Sequence, residues 1–437
     1  MRATARQREN ALLIAASRCP DTPPRSLVPD GAYDWHYLLD AAAQQGVSAL
    51  LRQWLAGETA IAAPDWARTA LEAAYWGQHF RNRFLLDAFA TLLGRAADAG
   101  LPVMPLKGAA LMGGYHYYPT PALRPMSDLD LLVRPGDAER MAGLLHECGY
   151  LPVTRPAAAS DGGDRECAFV SHRTEGAVLI EYRSEPLDPI TGFPASLDAV
   201  LTTRLRTHAA RMWERATPGA YANMPIVRIA SEDLLLHITS HLATRHAGFR
   251  LLWLHDVCRV LVAHPTDFDW RYFWNEAALL NLTVPIEAAL TAAHRWLNAP
   301  LPPGGSGSRL SSLPSRRGGR LESLLPPTTY VERRIASRAV AQLDRTDMAV
   351  EQPRAWAEAV TAFCRLTSSR ARGRALLFFI VPTRDYLAWW MIEQGKPAVS
   401  YRRMLLARWR RIGADALGSV RARLNAIARR AAPSRRR

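Results

Sequence analysis

Apolar positions recur at intervals of three and four up to about residue 98, as in Trp35, Leu38 and Leu39 and again in Phe84, Leu85, Phe89, Leu92 and Leu93. With Pro and Gly clustered between such runs, this spacing predicts an α-helical N-terminal region over 1–98. From Leu101 the texture changes to four short apolar runs, LPVMPL, LDLLV (129–133), CAFVSH (167–172) and AVLIEYR (177–183), which predict strands. A short helix is expected from Gly108 to about Tyr118. PGDAERMAGLLHECGY adds another, with a Pro/Asp start, an amphipathic body and a stop at Gly149. Residues 99–190 thus form a small α/β unit.

From Ser231 the helical period returns. SEDLLLHITSHLATRH opens on a Ser-x-Asp cap and FRLLWLHDVCRVLVAH continues it, giving a helical domain over 191–301. Residues 302–320 are Gly, Ser, Pro and Arg, a linker composition, followed by a helical region over 321–400. No internal repeat is evident. The fold class is α+β: a small mixed sheet with helices, embedded between mainly α-helical domains.

Composition sharpens this picture at the C-terminus. The formal net charge is +15, yet 401–437 hold twelve Arg and one acid, Asp415, so +11 lies there and only +4 in the first 400 residues. Leu405, Trp409, Ile412, Leu417, Val420, Leu424 and Ile427 recur there at nearly helical spacing, predicting a basic amphipathic tail. Such a tail could meet nucleic acid or an acidic lipid surface, or pack on its own domain with a solvated Arg face. At 49% hydrophobic and 22% charged, the chain has an ordinary folded composition. The longest apolar run, ALLFFIVP at 375–382, is too short to span a bilayer, and the six residues ALLIAA near the N-terminus fall short of a secretory core. A cytoplasmic protein without a transmembrane segment is expected. Five scattered cysteines without a CxxC pair suggest buried free thiols.

The chemistry concentrates in Ser127-Asp128-Leu129-Asp130-Leu131-Leu132-Val133. On a strand, alternate side chains share a face, so Asp128 and Asp130 project together while Leu129 and Leu131 face away. Paired carboxylates repel, which a divalent cation relieves; oxygen ligands suit Mg²⁺ or Mn²⁺. The same tripeptide is also common at a solvated strand end. Three neighbours favour the metal. Lys107, one of two lysines against 53 arginines, precedes Gly108 at a helix start, where phosphate can be approached closely. Arg124 stands four residues before Asp128, placed either to neutralise a phosphate or as a surface residue. Glu181 is an isolated acid in the apolar strand VLIEYR, with Glu185 and Glu166 as weaker competitors.

This order of strand, Lys-Gly, helix, Tyr-Pro-x-Pro, Arg, Ser-Asp-x-Asp-Leu-Leu-Val and a strand with a lone acid resembles the nucleotidyltransferase superfamily typified by DNA polymerase beta. More narrowly it resembles a bacterial family of uncharacterised nucleotidyltransferases, with its LKGxxL and YPxPxxRxxxDxDLLV motifs. Trp35 to Leu51, the segment from Ser231 and FFIVPTRDYL resemble the family's flanking parts, so the likeness covers most of 30–410. It implies a nucleotidyltransferase-type sheet, with Asp128, Asp130 and Glu181 as catalytic ligands of Mg²⁺ (or Mn²⁺) and Lys107, Gly108, Arg124 and Ser127 lining the triphosphate. The chain departs from the usual Gly-Ser at Lys107-Gly108, and from acid-Leu-His-Trp at Glu181-Tyr182-Arg183-Ser184. The implied activity is transfer of a nucleoside monophosphate from a nucleoside triphosphate to a hydroxyl or phosphate acceptor in a small molecule, protein or RNA. A nucleotide-, RNA- or protein-binding regulatory relative without that activity is the alternative.

His237 and His241 have the i, i+4 spacing of a zinc pair, with His246 beyond, but Ile238 stands where HExxH has its glutamate. Core packing or inter-helix hydrogen bonding is the better reading. Trp253, Trp274, Trp356, Phe378 and Phe379 are expected to pack between helices.

Overall fold

A computed structural model describes residues 2–19, 31–57, 61–153, 167–173, 176–185, 198–245, 250–263, 266–301, 348, 363–384, 387, 391, 397 and 399–411. Contacts divide the chain into two units, Met1–Val153 with Asp164–Thr367, and Thr154–Gly163 with Ser368–Arg437. The 302–320 segment and 412–437 lie outside the described residues.

The first unit opens with α1 (Arg2–Ala16), α2 (Trp35–Gln45), α3 (Ser48–Gly57) and the 34-residue α4 (Asp65–Asp98). Asp34 caps α2 by accepting from Tyr37 N, and Gly46 ends it at φ 71°, a left-handed stop that favours glycine. The apolar stripe of α4 (Leu85, Leu86, Phe89, Leu92, Leu93 and Ala96) is buried, as its three-and-four spacing requires.

Five strands follow: β1 (Met104–Pro105), β2 (Leu129–Leu132), β3 (Leu151–Pro152), β4 (Cys167–Arg173) and β5 (Gly176–Arg183), in the order β1-β2-β5-β4-β3. β2 and β5 are parallel and the other pairs antiparallel, so the sheet is mixed and the class is α+β. Between β1 and β2 the chain makes a short helical turn, α5 (Lys107–Ala109), widening into a π-turn over Ala110–Gly114. α6 (Ala138–Glu147) follows β2 and stops before Gly149 at φ 80°.

The rest of this unit is α7 (Ala199–Arg215), the hairpin β6 (Thr217–Tyr221) and β7 (Met224–Arg228), and four helices: α8 (Ser231–Arg245), α9 (Leu251–Ala263), α10 (Trp270–Leu279) and α11 (Thr283–Leu297). These helices pack together, and α8 also packs on the α5 turn. The hairpin, absent from the sequence expectations, turns through Ala222 and Asn223 at φ 49° and 63°, and Val227 N donates to Val103 O beside β1. Pro218, Gly219 and Pro225 disguise it as loop.

In the second unit, α12 (Ser369–Ile380) is capped by Ser368, whose hydroxyl accepts from Ala371 N, and 401–411 are helical. Phe378 is buried as expected, whereas Phe379 is exposed at its side. Trp356 lies outside the described residues. Cys19 and Cys258 are buried as expected, whereas Cys148, Cys167 and Cys364 are only partly buried. Among the described residues no helix is long and apolar enough to cross a membrane.

Candidate metal centre

The parallel pairing of β2 with β5 puts Asp130 directly opposite Glu181. Asp128, two residues earlier, falls on the same face. One carboxylate oxygen from each of Asp128, Asp130 and Glu181 lies within 4.8 Å of the others. Opposite oxygens on an octahedral Mg²⁺ stand about 4.2 Å apart. The cluster therefore fits a small divalent cation after a few tenths of an ångström of side-chain adjustment. Its all-oxygen donors suit Mg²⁺ or Mn²⁺ and not a thiolate-seeking metal. Of the weaker acids, Glu185 is buried and accepts from Arg206 Nε at 2.8 Å, and Glu166 lies outside the described residues.

The electrostatics are those of crowded acids beside one cation. Burial, then the charge of Asp130, raises the pKa of Asp128 above the ordinary carboxylate value. Lys107 and the hydroxyl of Ser127, which donates to Asp128 Oδ1 at 3.1 Å, act in the opposite sense. Lys107 Nζ lies 2.6 Å from Asp130 Oδ1, both side chains being largely buried. Its backbone has φ 43°, a left-handed conformation that a lysine rarely adopts, at the start of the turn that delivers the ammonium to the carboxylates.

Gly108 and Arg124 come together, but in a different way from their sequence expectations. A Cβ on Gly108 would collide with Arg124 Nη1 and lie 2.8 Å from Met126 Sδ, so glycine here admits the arginine beneath the α5 turn. Arg124 is buried and paired in a fork with Asp256 of α9: Nε donates to Oδ1 at 3.2 Å and Nη2 to Oδ2 at 3.0 Å. The Tyr118 hydroxyl donates to the same Asp256 Oδ1. Arg124 thus ties the loop ahead of Asp128 to the helical domain, in place of a surface position. Asn82 of α4 holds that loop from the other side. Its amide donates to Pro121 O at 2.6 Å and Arg124 O at 2.7 Å, and its oxygen accepts from Met126 N at 3.2 Å.

The sequence reading also missed what surrounds His237 on α8. The ring is buried, as the core reading expects, and stacks near His241 at 6.4 Å between centroids, while neither nitrogen has a hydrogen-bond partner, so the inter-helix bonding alternative does not hold for it. Burial, then the charges of Lys107 and Arg183, holds it well below the usual imidazole range. Arg183 follows Glu181 by two residues on β5, on the same face. His237 is therefore close enough to feel the charges of Lys107 and Arg183, of which Lys107 is the one paired with a carboxylate of the centre. No signal in α8 alone could have shown this, because a histidine within a helical period reads as core. His246 lies outside the described residues.

No curated protein and no solved structure matches this chain. Over residues 31–298, more than half its length, it matches the model of a family described as uncharacterised nucleotidyltransferase. That span takes in the three carboxylates, the Lys107 turn and the helices that carry Asp256 and His237, and the chain belongs to this family.

Proposed function

We propose that the protein is a Mg²⁺-dependent nucleotidyltransferase of the DNA polymerase beta type, moving a nucleoside monophosphate from a nucleoside triphosphate to a hydroxyl or phosphate acceptor. The observation that carries this reading is the convergence of Asp128, Asp130 and Glu181 within 4.8 Å in a chain of this family. Mg²⁺ (or Mn²⁺) held there supplies charge neutralisation of the triphosphate and a lowered pKa for the acceptor hydroxyl. Asp128, Asp130 and Glu181 orient these groups, Ser127 steadies Asp128, and the positive charges of Lys107 and Arg183 offset charge on the β- and γ-phosphates. The Lys107–Gly108 turn lines the triphosphate with its backbone, and Arg124, packed against Gly108 and locked on Asp256, fixes the turn from below. As the acceptor oxygen bonds to the α-phosphorus, the bond from that phosphorus to its bridging oxygen breaks, pyrophosphate leaves, and the acceptor proton passes to solvent. No covalent intermediate on the protein is required.

One observation favours a second reading, a nucleotide-binding regulatory module without turnover. The Lys107–Asp130 ion pair occupies a carboxylate that a cation needs. Incubation of a cell lysate with α-³²P-labelled nucleoside triphosphates and the protein separates the two. The enzyme transfers label to an acceptor, and Asp128→Asn with Asp130→Asn abolishes the transfer. Triphosphate binding that needs no metal, with no labelled product under any of the four triphosphates, supports the module.

A further inference from the structure

Between Ser368 and Arg437 the sequence holds sixteen arginines and one lysine against three acids, Asp385, Glu393 and Asp415. Arg370, Arg374, Arg402, Arg403, Arg410 and Arg411 are exposed among them. Leu376, Leu377, Ile380 and Val381 at the C-terminal end of α12, with Leu406 and Trp409 on the 401–411 helix, are exposed as well. Leu377 is 63% exposed and Leu406 56%, unusual for aliphatic side chains in so small a segment. These positions are not a loose end. Ala371, Ala375 and Phe378 bury the opposite side of α12, and Leu387, Met391 and Met404 form a small core. The Phe379 and Trp409 rings meet edge to face at 6.0 Å. Arg408 lies 4.9 Å above Phe379 and donates to its carbonyl at 2.7 Å, fixing one helix against the other.

We propose that this face docks on an anionic phospholipid surface, with its aliphatic and aromatic side chains in the acyl boundary and its arginines on the headgroup phosphates. The arginine-and-aliphatic pattern is that of an interfacial helix, and the 12 residues of α12 are too few to span a bilayer. Nucleic acid would satisfy the arginines and the rings, but it offers nothing to Leu376, Leu377, Ile380 and Leu406, because phosphate and base edges gain little from aliphatic contact. A second copy meeting the first across a two-fold axis would set arginine against arginine. The net +11 of 401–437 adds long-range attraction to the same surface. This inference is independent of the nucleotide chemistry of the first unit.

Flotation of the full chain with vesicles of phosphatidylcholine alone and of phosphatidylcholine mixed with phosphatidylserine tests it. The protein should partition onto the mixed vesicles at physiological salt and only weakly onto the neutral ones. Leu377→Glu combined with Leu406→Glu should lower that partition by about tenfold or more. Both side chains are exposed, so the unfolding curve should not move; Leu377→Ser with Leu406→Ser serves as a milder pair should the glutamates disturb folding. Variants that bind mixed vesicles as the wild type does would reduce the effect to attraction by the basic tail and overturn the proposal. So would a wild-type chain that ignores vesicles, whether it captures single-stranded RNA instead or forms a dimer by light scattering that the substitutions dissolve.

Discussion

Asp128→Asn should make the metal-free protein more stable while destroying its response to magnesium. The three carboxylate oxygens lie within 4.8 Å of one another. At an effective dielectric of about 20, each ionised pair at that separation repels by roughly 3.5 kcal/mol. Asp128 faces two such neighbours; burial first, then the charge of Asp130, raises its pKa, and Lys107 and Ser127 offset only part of this. Asparagine keeps the shape and removes the charge, so a gain of about 1–3 kcal/mol is expected without metal. The sign with pH follows from the raised pKa. Between the unfolded value near 3.8 and the higher folded value, the folded state holds more protons, so metal-free stability falls as pH rises through that window. The asparagine variant lacks this component. Thermal unfolding in a chelator and in excess Mg²⁺ measures both effects. Wild type should gain about 2.7 kcal/mol at a Mg²⁺ concentration 100-fold above Kd, and the variant little, so magnesium reverses their order. A variant that is less stable than wild type in chelator yet equally stabilised by Mg²⁺ would refute the reasoning.

Other consequences concern the scaffold. Asp256→Asn strips the buried Arg124 of its counter-charge and sets an NH2 against Nη2 where Oδ2 accepted, and should cost about 3–5 kcal/mol in urea unfolding; Arg124→Met with Asp256→Leu should recover most of that loss. Gly108→Ala forces Arg124 and Met126 aside, for a loss of about 1–3 kcal/mol and weaker triphosphate binding by calorimetry. His237 has a pKa well below the ordinary 6.5, so the unfolded chain takes up its proton first as pH falls. The stability contributed by neutral, buried His237 is therefore present above pH 6.5 and lost below it, at up to about 1.4 kcal/mol per pH unit. His237→Gln should flatten that slope in unfolding measured from pH 7.5 to 5.

Much of the centre could be read along the chain because period-two alternation is strict there. Asp128 and Asp130 share a face by spacing alone, and Glu181 is conspicuous as an acid inside VLIEYR. β4, β5 and α6 follow from local pattern in the same way. Properties that depend on pairing across distance were hidden. Nothing local says that β2 lies parallel to β5 with Asp130 opposite Glu181, or that Arg124 meets Asp256 at a separation of 132 residues. The glycine at 108 signals close approach, but the approaching group is a side chain of the same protein. The β6–β7 hairpin hides behind prolines and a glycine, since turn formers ordinarily mark loops and here sit within paired strands.

The central claim is that the Asp128–Asp130 pair and the sequence-distant Glu181 act together as a cation site, and titration with Mn²⁺ followed by electron paramagnetic resonance addresses it directly. The full chain should bind Mn²⁺ competitively with Mg²⁺. Glu181→Gln should weaken that binding by tenfold or more, because the acid contributed from β5 is lost while the paired strands remain. Mn²⁺ affinity equal in Glu181→Gln and the wild type would show that Glu181 does not join Asp128 and Asp130, and the proposed chemistry would lose its foundation.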